Sequence, residues 1–214
     1  MKQIWYSLTK LLVVLAMVLS GGIGCNDSSG GSGFSDVGDN DINTVVCMGD
    51  SITLGSGLPS AQSYPVQLAV MTGKRVINSG LSGEASGGGA GRVGGQLGRH
   101  KPGCLLSMYG ANDVIRVRPL GELAANVRSI IQQAKANQTN PVVGAILPMF
   151  EARSIFNPTI VAANELLRAV AKEEGVDFVN LHSSMQDPGL YLDGLHPTAA
   201  GANIIASKFE GQVQ

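Results

Sequence analysis

The chain has 214 residues, 44% of them apolar and 14% charged, and a formal net charge of −1. That size fits one core domain with appendages. So small a charge excludes the basic patch of a nucleic-acid binder, and so much apolar content excludes a disordered chain. The 29 glycines follow no G-x-y period, and no repeat of 20–50 residues is visible, which excludes collagen and solenoid architectures.

Residues 1–24 read as a signal peptide. Lys2 and Lys10 make a positive start, and Leu11 to Leu19 are apolar throughout. That run is too short for a membrane span, which needs about 20 residues. Small residues then lead to a cysteine, Ser20-Gly21-Gly22-Ile23-Gly24-Cys25. This resembles the lipobox of bacterial lipoproteins, with Gly22 where that family favours Leu. The resemblance implies lipidation at Cys25 and an exported protein held at a membrane of the cell envelope by this anchor alone. Residues 25–41 continue as a polar, Gly/Ser-rich, acidic tether that cannot bury a core. Residues 42–214 are left as the folded domain. Cys47 and Cys104 each lie in an apolar run without metal-site spacing and read as buried thiols.

Short apolar runs at Thr44–Met48, Arg75–Asn78, Cys104–Tyr109, Val142–Leu147 and Phe178–Leu181 read as strands buried on both faces. Helical patterns alternate with them. Ser60–Met71 carries Tyr64, Leu68 and Met71, and Leu120–Ala136 carries Leu123, Val127, Ile130 and Ile131. Asn157–Glu174 opens with Asn157 as a cap ahead of Pro158 and turns Val161, Leu166, Leu167 and Val170 inward. A last helix is expected over Pro197–Phe209, with Pro197 in its first turn. Strand and helix in alternation predict right-handed crossovers and a three-layer α/β/α sandwich around a five-stranded parallel sheet. In such folds ligands bind at the carboxyl ends of the strands.

Those ends carry Gly49-Asp50-Ser51, the turn Asn78 to Gly83, Gly110-Ala111-Asn112-Asp113 and Asp193-Gly194-Leu195-His196. A serine, a glycine turn, an asparagine and an Asp-x-x-His on one edge are the parts that acyl transfer needs: a nucleophile, a base, an orienter for the base and donors for an oxyanion. Four such blocks in this order resemble the SGNH (GDSL-type) hydrolases, over about Thr44 to Phe209. The likeness is to the bacterial thioesterase I, lysophospholipase L1 and arylesterase-like branch. It implies a flavodoxin-like fold and a serine esterase acting on carboxylic esters or thioesters through an acyl-enzyme, with no metal or other cofactor. Carried over position by position, Ser51 resembles the nucleophile, His196 the base and Asp193 its partner. The Ser51 and Gly83 amides and the Asn112 side chain resemble the oxyanion donors. Ala111 stands where the family often has Gly. The partner is then a small acyl ester or thioester, and nothing in the sequence speaks to oligomeric state.

Rival readings are close at hand. A carbohydrate O-acetylesterase would use the same residues, and a non-catalytic module binding envelope glycans would lack one of the blocks. Asp50 is expected to brace its loop and Asp113 to cap the segment after it. His182 competes with His196 as base but has no acidic residue three before it, and His100 sits in a basic surface loop. Gly89-Ala90-Gly91-Arg92-Val93-Gly94 matches a dinucleotide fingerprint, yet it does not directly follow a strand and lies in a glycine-rich stretch. That stretch is expected to be flexible or loosely helical. Phe150, Ile155 and Phe156, in the loop after the fourth run, are candidates for the wall of an acyl pocket. Tyr64 and Tyr109 are open to either core or site.

Overall fold

The computed structural model describes residues 37–213. The signal peptide, Cys25 and most of the tether lie outside these residues. Five strands form one parallel sheet: β1 (Asp41–Gly49), β2 (Arg75–Gly80), β3 (Pro102–Met108), β4 (Asn140–Gly144) and β5 (Asp177–Val179), in the order β2-β1-β3-β4-β5. Helices α1 (Ser51–Leu54), α2 (Tyr64–Thr72), α3 (Ser86–His100), α4 (Ala111–Ile115), α5 (Leu120–Ala136), α6 (Asn157–Glu174), α7 (Leu181–Ser184) and α8 (Ala199–Glu210) connect and follow them. This is the three-layer arrangement expected from the pattern, with the flavodoxin-like strand order that the resemblance implies. Because β1 feeds β2 on one side and β3 lies on the other, the chain reverses direction across the sheet between β1 and β3.

Alternate β1 residues face opposite layers, as a doubly buried strand must. Val46 and Met48, with Leu105 of β3, meet Val93 and Leu97 of α3 and Ile130 of α5. Val45 and Cys47, with Leu106, join Tyr64 and Leu68 of α2 and Ile205 and Phe209 of α8. Cys47 and Cys104 are buried, free thiols. Tyr64 belongs to the core: its ring lies 5.7 Å from that of Phe209, and its hydroxyl pairs with Thr53.

Several boundaries differ from the sequence reading, each for a local reason. β1 starts at Asp41, and the Asn40 side chain already donates to the Asn137 carbonyl, so the fold begins slightly ahead of residue 42. The fourth strand stops at Gly144, because Asn164 of α6 takes both the N–H and the carbonyl of Ile146 at 2.8 and 2.9 Å. Asn157 does not cap α6. Its side chain bonds the N–H and carbonyl of Met149 instead, and a 3₁₀ turn over Glu151–Phe156 runs into the helix. α6 buries Ile160, Ala163, Leu167, Val170 and Ala171, whereas Val161 is exposed. The last helix starts at Ala199 with Thr198 as its cap, because Pro197 is drawn into an antiparallel bridge with Tyr191.

The glycine-rich stretch forms a helix of 15 residues, α3, although a helical glycine is unfavourable by roughly 1 kcal/mol relative to alanine. Packing carries it. Val93 and Leu97 are fully buried, and the Ser86 N–H and hydroxyl at its start both donate to Asp113. The glycines differ in what they do. A Cβ on Gly89 would stand 2.5 Å from the Tyr109 ring, whereas one on Gly91, Gly95 or Gly98 would meet nothing within 4 Å. Replacing these last three by alanine should therefore raise stability by about 0.5–1 kcal/mol each in urea unfolding, and Gly89→Ala should lower it.

Candidate active site

Every sequence block lands at the carboxyl edge of the sheet. Gly49 ends β1 in a turn so close that a Cβ there would lie 2.1 Å from the Thr53 hydroxyl and 2.7 Å from the Met108 carbonyl. Asp50 then caps the four-residue α1 by accepting from the Ile52 N–H at 2.9 Å, which leaves Ser51 at the first helical position, nearly buried. The Ser51 hydroxyl lies 3.0 Å from Nε2 of His196, and Nδ1 of His196 lies 2.9 Å from Oδ2 of Asp193. The other Asp193 oxygen accepts from the backbone N–H groups of His196 and Leu195 at 2.8 and 3.1 Å. Partial burial raises the Asp193 pKa, but these donors outweigh it and hold the carboxyl below its usual value.

The loop that bears His196 and Asp193 is held from outside itself. The Tyr191–Pro197 bridge and the Leu192 N–H on the His196 carbonyl close its neck. Gly194 takes a φ of +73° and gives its carbonyl to the Phe150 N–H at 2.8 Å; a Cβ there would strike the Phe150 backbone. Arg153 donates to the Asp193 carbonyl at 2.7 Å. The segment read as a pocket wall therefore also clamps this loop. Phe150 packs its ring against Tyr191 at a tilt of 56° with centres 5.0 Å apart, Phe156 packs half-buried on the core, and Ile155 is 74% exposed.

Gly80 and Gly83 have different work. A Cβ on Gly80 would lie 2.1 Å from the Leu54 nitrogen, and its own N–H is taken by the Asn78 side chain. Gly83 stands at φ +72°, where a Cβ would meet only Arg116 Nη2 at 3.5 Å, and among the described residues no acceptor takes its N–H. Arg116 holds the Gly83 carbonyl at 2.6 Å. Asn112, in α4, donates to Oδ2 of Asp50 at 3.1 Å, which bridges the ends of β1 and β3. Asp113 does not cap its own helix; it binds Ser86 at the start of α3. His182 bonds Gln186 at the start of α7 and has no bond to Ser51. The fingerprint glycines lie inside α3 rather than in a turn after a strand.

Arg116, Arg153 and the pair Glu84–Arg92 were missed by sequence reading. Arg116 and Arg153 meet partners 33 and 40 positions away, so no local pattern marks them. Among the described residues no three or more His, Cys, Asp and Glu side chains cluster in a way that would hold a metal ion.

A hydroxyl, an imidazole and a carboxylate in hydrogen-bond series, beside the unpaired Gly83 N–H at the edge of a parallel sheet, define a serine hydrolase of the acyl-transfer class. The family profile described as GDSL-like Lipase/Acylhydrolase matches residues 47–204, and the chain belongs to that family of ester hydrolases. It is 28% identical to "Esterase TesA" of Pseudomonas aeruginosa over 73% of this chain and 81% of that protein. It is 26% identical to "Thioesterase 1/protease 1/lysophospholipase L1" of Escherichia coli K12 over 80% and 83% of the two chains. Among solved structures, that of TesA superposes with a TM-score of 0.71 at 26% identity, covering 80% of this chain and 98% of that one. A G-D-S-L family protein from Desulfitobacterium hafniense gives 0.72 at 22% identity, over 80% and 99%.

Asp50 is an acidic group with a pH signature. Burial pushes its carboxyl up to about 6, although bonds from Ile52 and Asn112 oppose the rise. An unfolded Asp titrates near 3.9, so folding takes up a proton here. The stability this contributes is complete below about pH 4 and is lost as pH rises through 6. In urea unfolding, the stability of Asp50→Asn relative to wild type should therefore increase from pH 4 to pH 7, by about 2 kcal/mol. An unchanged difference between the two pH values would contradict it.

Proposed function

We propose that Ser51 is the nucleophile, His196 its base and Asp193 the orienter of the imidazole, in an exported hydrolase of carboxylic esters or thioesters. The observation that carries this reading is the unbroken series Ser51 Oγ, His196 Nε2, His196 Nδ1 and Asp193 Oδ2. His196 takes the hydroxyl proton as Ser51 attacks the acyl carbonyl. The oxyanion is received by the N–H groups of Ser51 and Gly83 and by the Asn112 amide. The imidazolium returns its proton to the leaving alcohol or thiol, and water repeats the cycle on the acyl-enzyme with His196 again as base. Asp193, ionised because its oxygens accept three hydrogen bonds, stabilises the imidazolium throughout.

An apolar acyl group suits this edge. Leu54, Leu81, Val117, Ile155 and Leu192 are large apolar side chains left exposed in α1 and the loops of this edge. Of the three residues read as a pocket wall, Ile155 is the most exposed, while Phe150 and Phe156 pack partly buried against the core. The names of the relatives, an esterase and a thioesterase with lysophospholipase activity, support both ester and thioester substrates. Export and attachment to the cell envelope through a lipid on Cys25 complete the proposal and rest on residues 1–25 of the sequence.

Ser51→Ala and His196→Ala should each remove nearly all turnover of a p-nitrophenyl ester while far-UV dichroism is retained, and the double variant should be little worse. Asn112→Ala should lower kcat by on the order of 10²–10³, and Asp193→Asn by at least about 10². Activity lost in His182→Ala but kept in His196→Ala would name the wrong base. A panel from acetyl to octanoyl esters and acetylated sugars then places the acyl preference. A strict preference for acetylated sugars would replace the acyl-ester reading by an O-acetylesterase.

Incorporation of labelled palmitate should be seen in the wild-type protein and vanish in Cys25→Ser. Unlabelled, freely secreted wild-type protein would remove the anchor and leave export alone.

A further inference from the structure

A second cluster of polar groups lies beside the proposed site and has no part in the chemistry above. Glu84 directly follows Gly83, and its side chain is only 7% exposed. It accepts from Nε of Arg92 on both oxygens at 2.9 Å and from Nη2 at 2.6 Å. The Tyr109 hydroxyl donates to the same carboxylate at 2.7 Å, and Arg92 Nη2 reaches that hydroxyl at 3.1 Å and the Ser79 carbonyl at 2.6 Å. Tyr109 itself is buried at the end of β3, three residues before Asn112.

The cluster thus ties the loop after β2 to the end of β3. Two residues further along, Ser86 gives its N–H and hydroxyl to Asp113 at 2.9 and 2.7 Å. The segment that starts at Gly83 is pinned to the segment that holds Asn112 at two points, Glu84 to Tyr109 and Ser86 to Asp113, one on each side of Asn112 in the sequence. The glycines of α3 make room for the first of these pins. A Cβ on Gly88 would lie 2.8 Å from the Glu84 side chain, and one on Gly89 would lie 2.5 Å from the Tyr109 ring. Of the glycines in the dinucleotide-fingerprint match, only Gly89 packs against this cluster.

We propose that Glu84, Arg92 and Tyr109 are positioning residues that fix the Gly83 amide relative to the Asn112 side chain, so that both donors meet one oxyanion. This rests on the roles of Ser51, Gly83 and Asn112 given above. A buried charged pair is a poor source of net stability, since desolvation offsets the attraction, but a fully bonded one holds a unique geometry. Burial works against the Arg92 charge, yet the bonds from Glu84 and Tyr109 keep that guanidinium charged, and burial followed by the Glu84 bond raises the Tyr109 phenol. The guanidinium stays charged and the phenol stays a donor across the working range. Donors aimed at the transition state must sit within a few tenths of an ångström, so a loosened pin acts on kcat and leaves ground-state binding alone.

The test is a double-mutant cycle on the full chain with p-nitrophenyl butyrate, with melting temperatures recorded alongside. Tyr109→Phe removes one oxygen and keeps the ring against Gly89. It should lower kcat by about 10-fold and leave KM within about twofold. In an Asn112→Ala background the same change should cost less than about threefold, because the donor it positions is gone. Glu84→Gln gives the same comparison should Tyr109→Phe fold poorly. Wild-type kcat in both variants, or an equal loss in the presence and absence of Asn112, would overturn the positioning role. Turnover retained by Ser51→Ala is a different outcome and would overturn the proposed nucleophile.

Discussion

The buried Asp50 carboxylate joins the two halves of the sheet at the place where the chain changes direction. One oxygen caps α1 through the Ile52 N–H, and the other receives the Asn112 amide from the far side of the switch. In a doubly wound sheet the loops after β1 and β3 diverge at this point, and the crevice between them is where a ligand fits. One carboxylate spanning that crevice sets Ser51 and Asn112 at a defined separation. Its cost is visible in the pKa of about 6, where burial overrides two good donors. The site keeps an acid in a place that disfavours its charge because no apolar group could hold both a helix start and an amide.

The same logic recurs on the other flank. His196 and Asp193 stand on a loop without helical support, since Pro197 pairs with Tyr191 and the helix begins only at Ala199. Loops of this kind open easily when few contacts hold them. Here Arg153 and the Phe150 N–H grip the Asp193 and Gly194 carbonyls, and the aromatic contact of Phe150 with Tyr191 closes the neck. His196 is thus fixed by a segment after β4, and Ser51 by the turn after β1. The imidazole meets the hydroxyl only because two separately folded elements converge.

The parts legible in the sequence are those whose signal is local. Leu120–Ala136 and Asn157–Glu174 form helices over the expected residues because their apolar positions recur along one face. The blocks at Ser51 and Asn112 stand out because each follows an apolar run within a few residues, and His196 because Asp193 stands three residues before it. What escaped is what depends on distant partners. Asn157 has the chemistry of a cap, yet Met149 competes for it and wins. Arg116 and Arg153 find their partners only when the fold brings distant backbone carbonyls to them. Asp113 looks like a cap for its own helix and serves another one.

α3 is the strongest case of tertiary structure overriding local preference. Seven of its 15 residues are glycine, which by propensity alone disfavours a helix by several kcal/mol. Tertiary packing supplies the helix when an apolar face is buried, and here Val93 and Leu97 provide it. The glycines then fall into two kinds that the sequence does not distinguish. Gly88 and Gly89 are narrow because Glu84 and Tyr109 press against them, while Gly91, Gly95 and Gly98 face open space. A helix of alanines would be more stable by itself, but at two positions it would push the Tyr109 hydroxyl and the Glu84 carboxylate off each other. The helix gives up intrinsic stability at those two positions so that a buried acid, a guanidinium and a phenol can meet at the edge of the site.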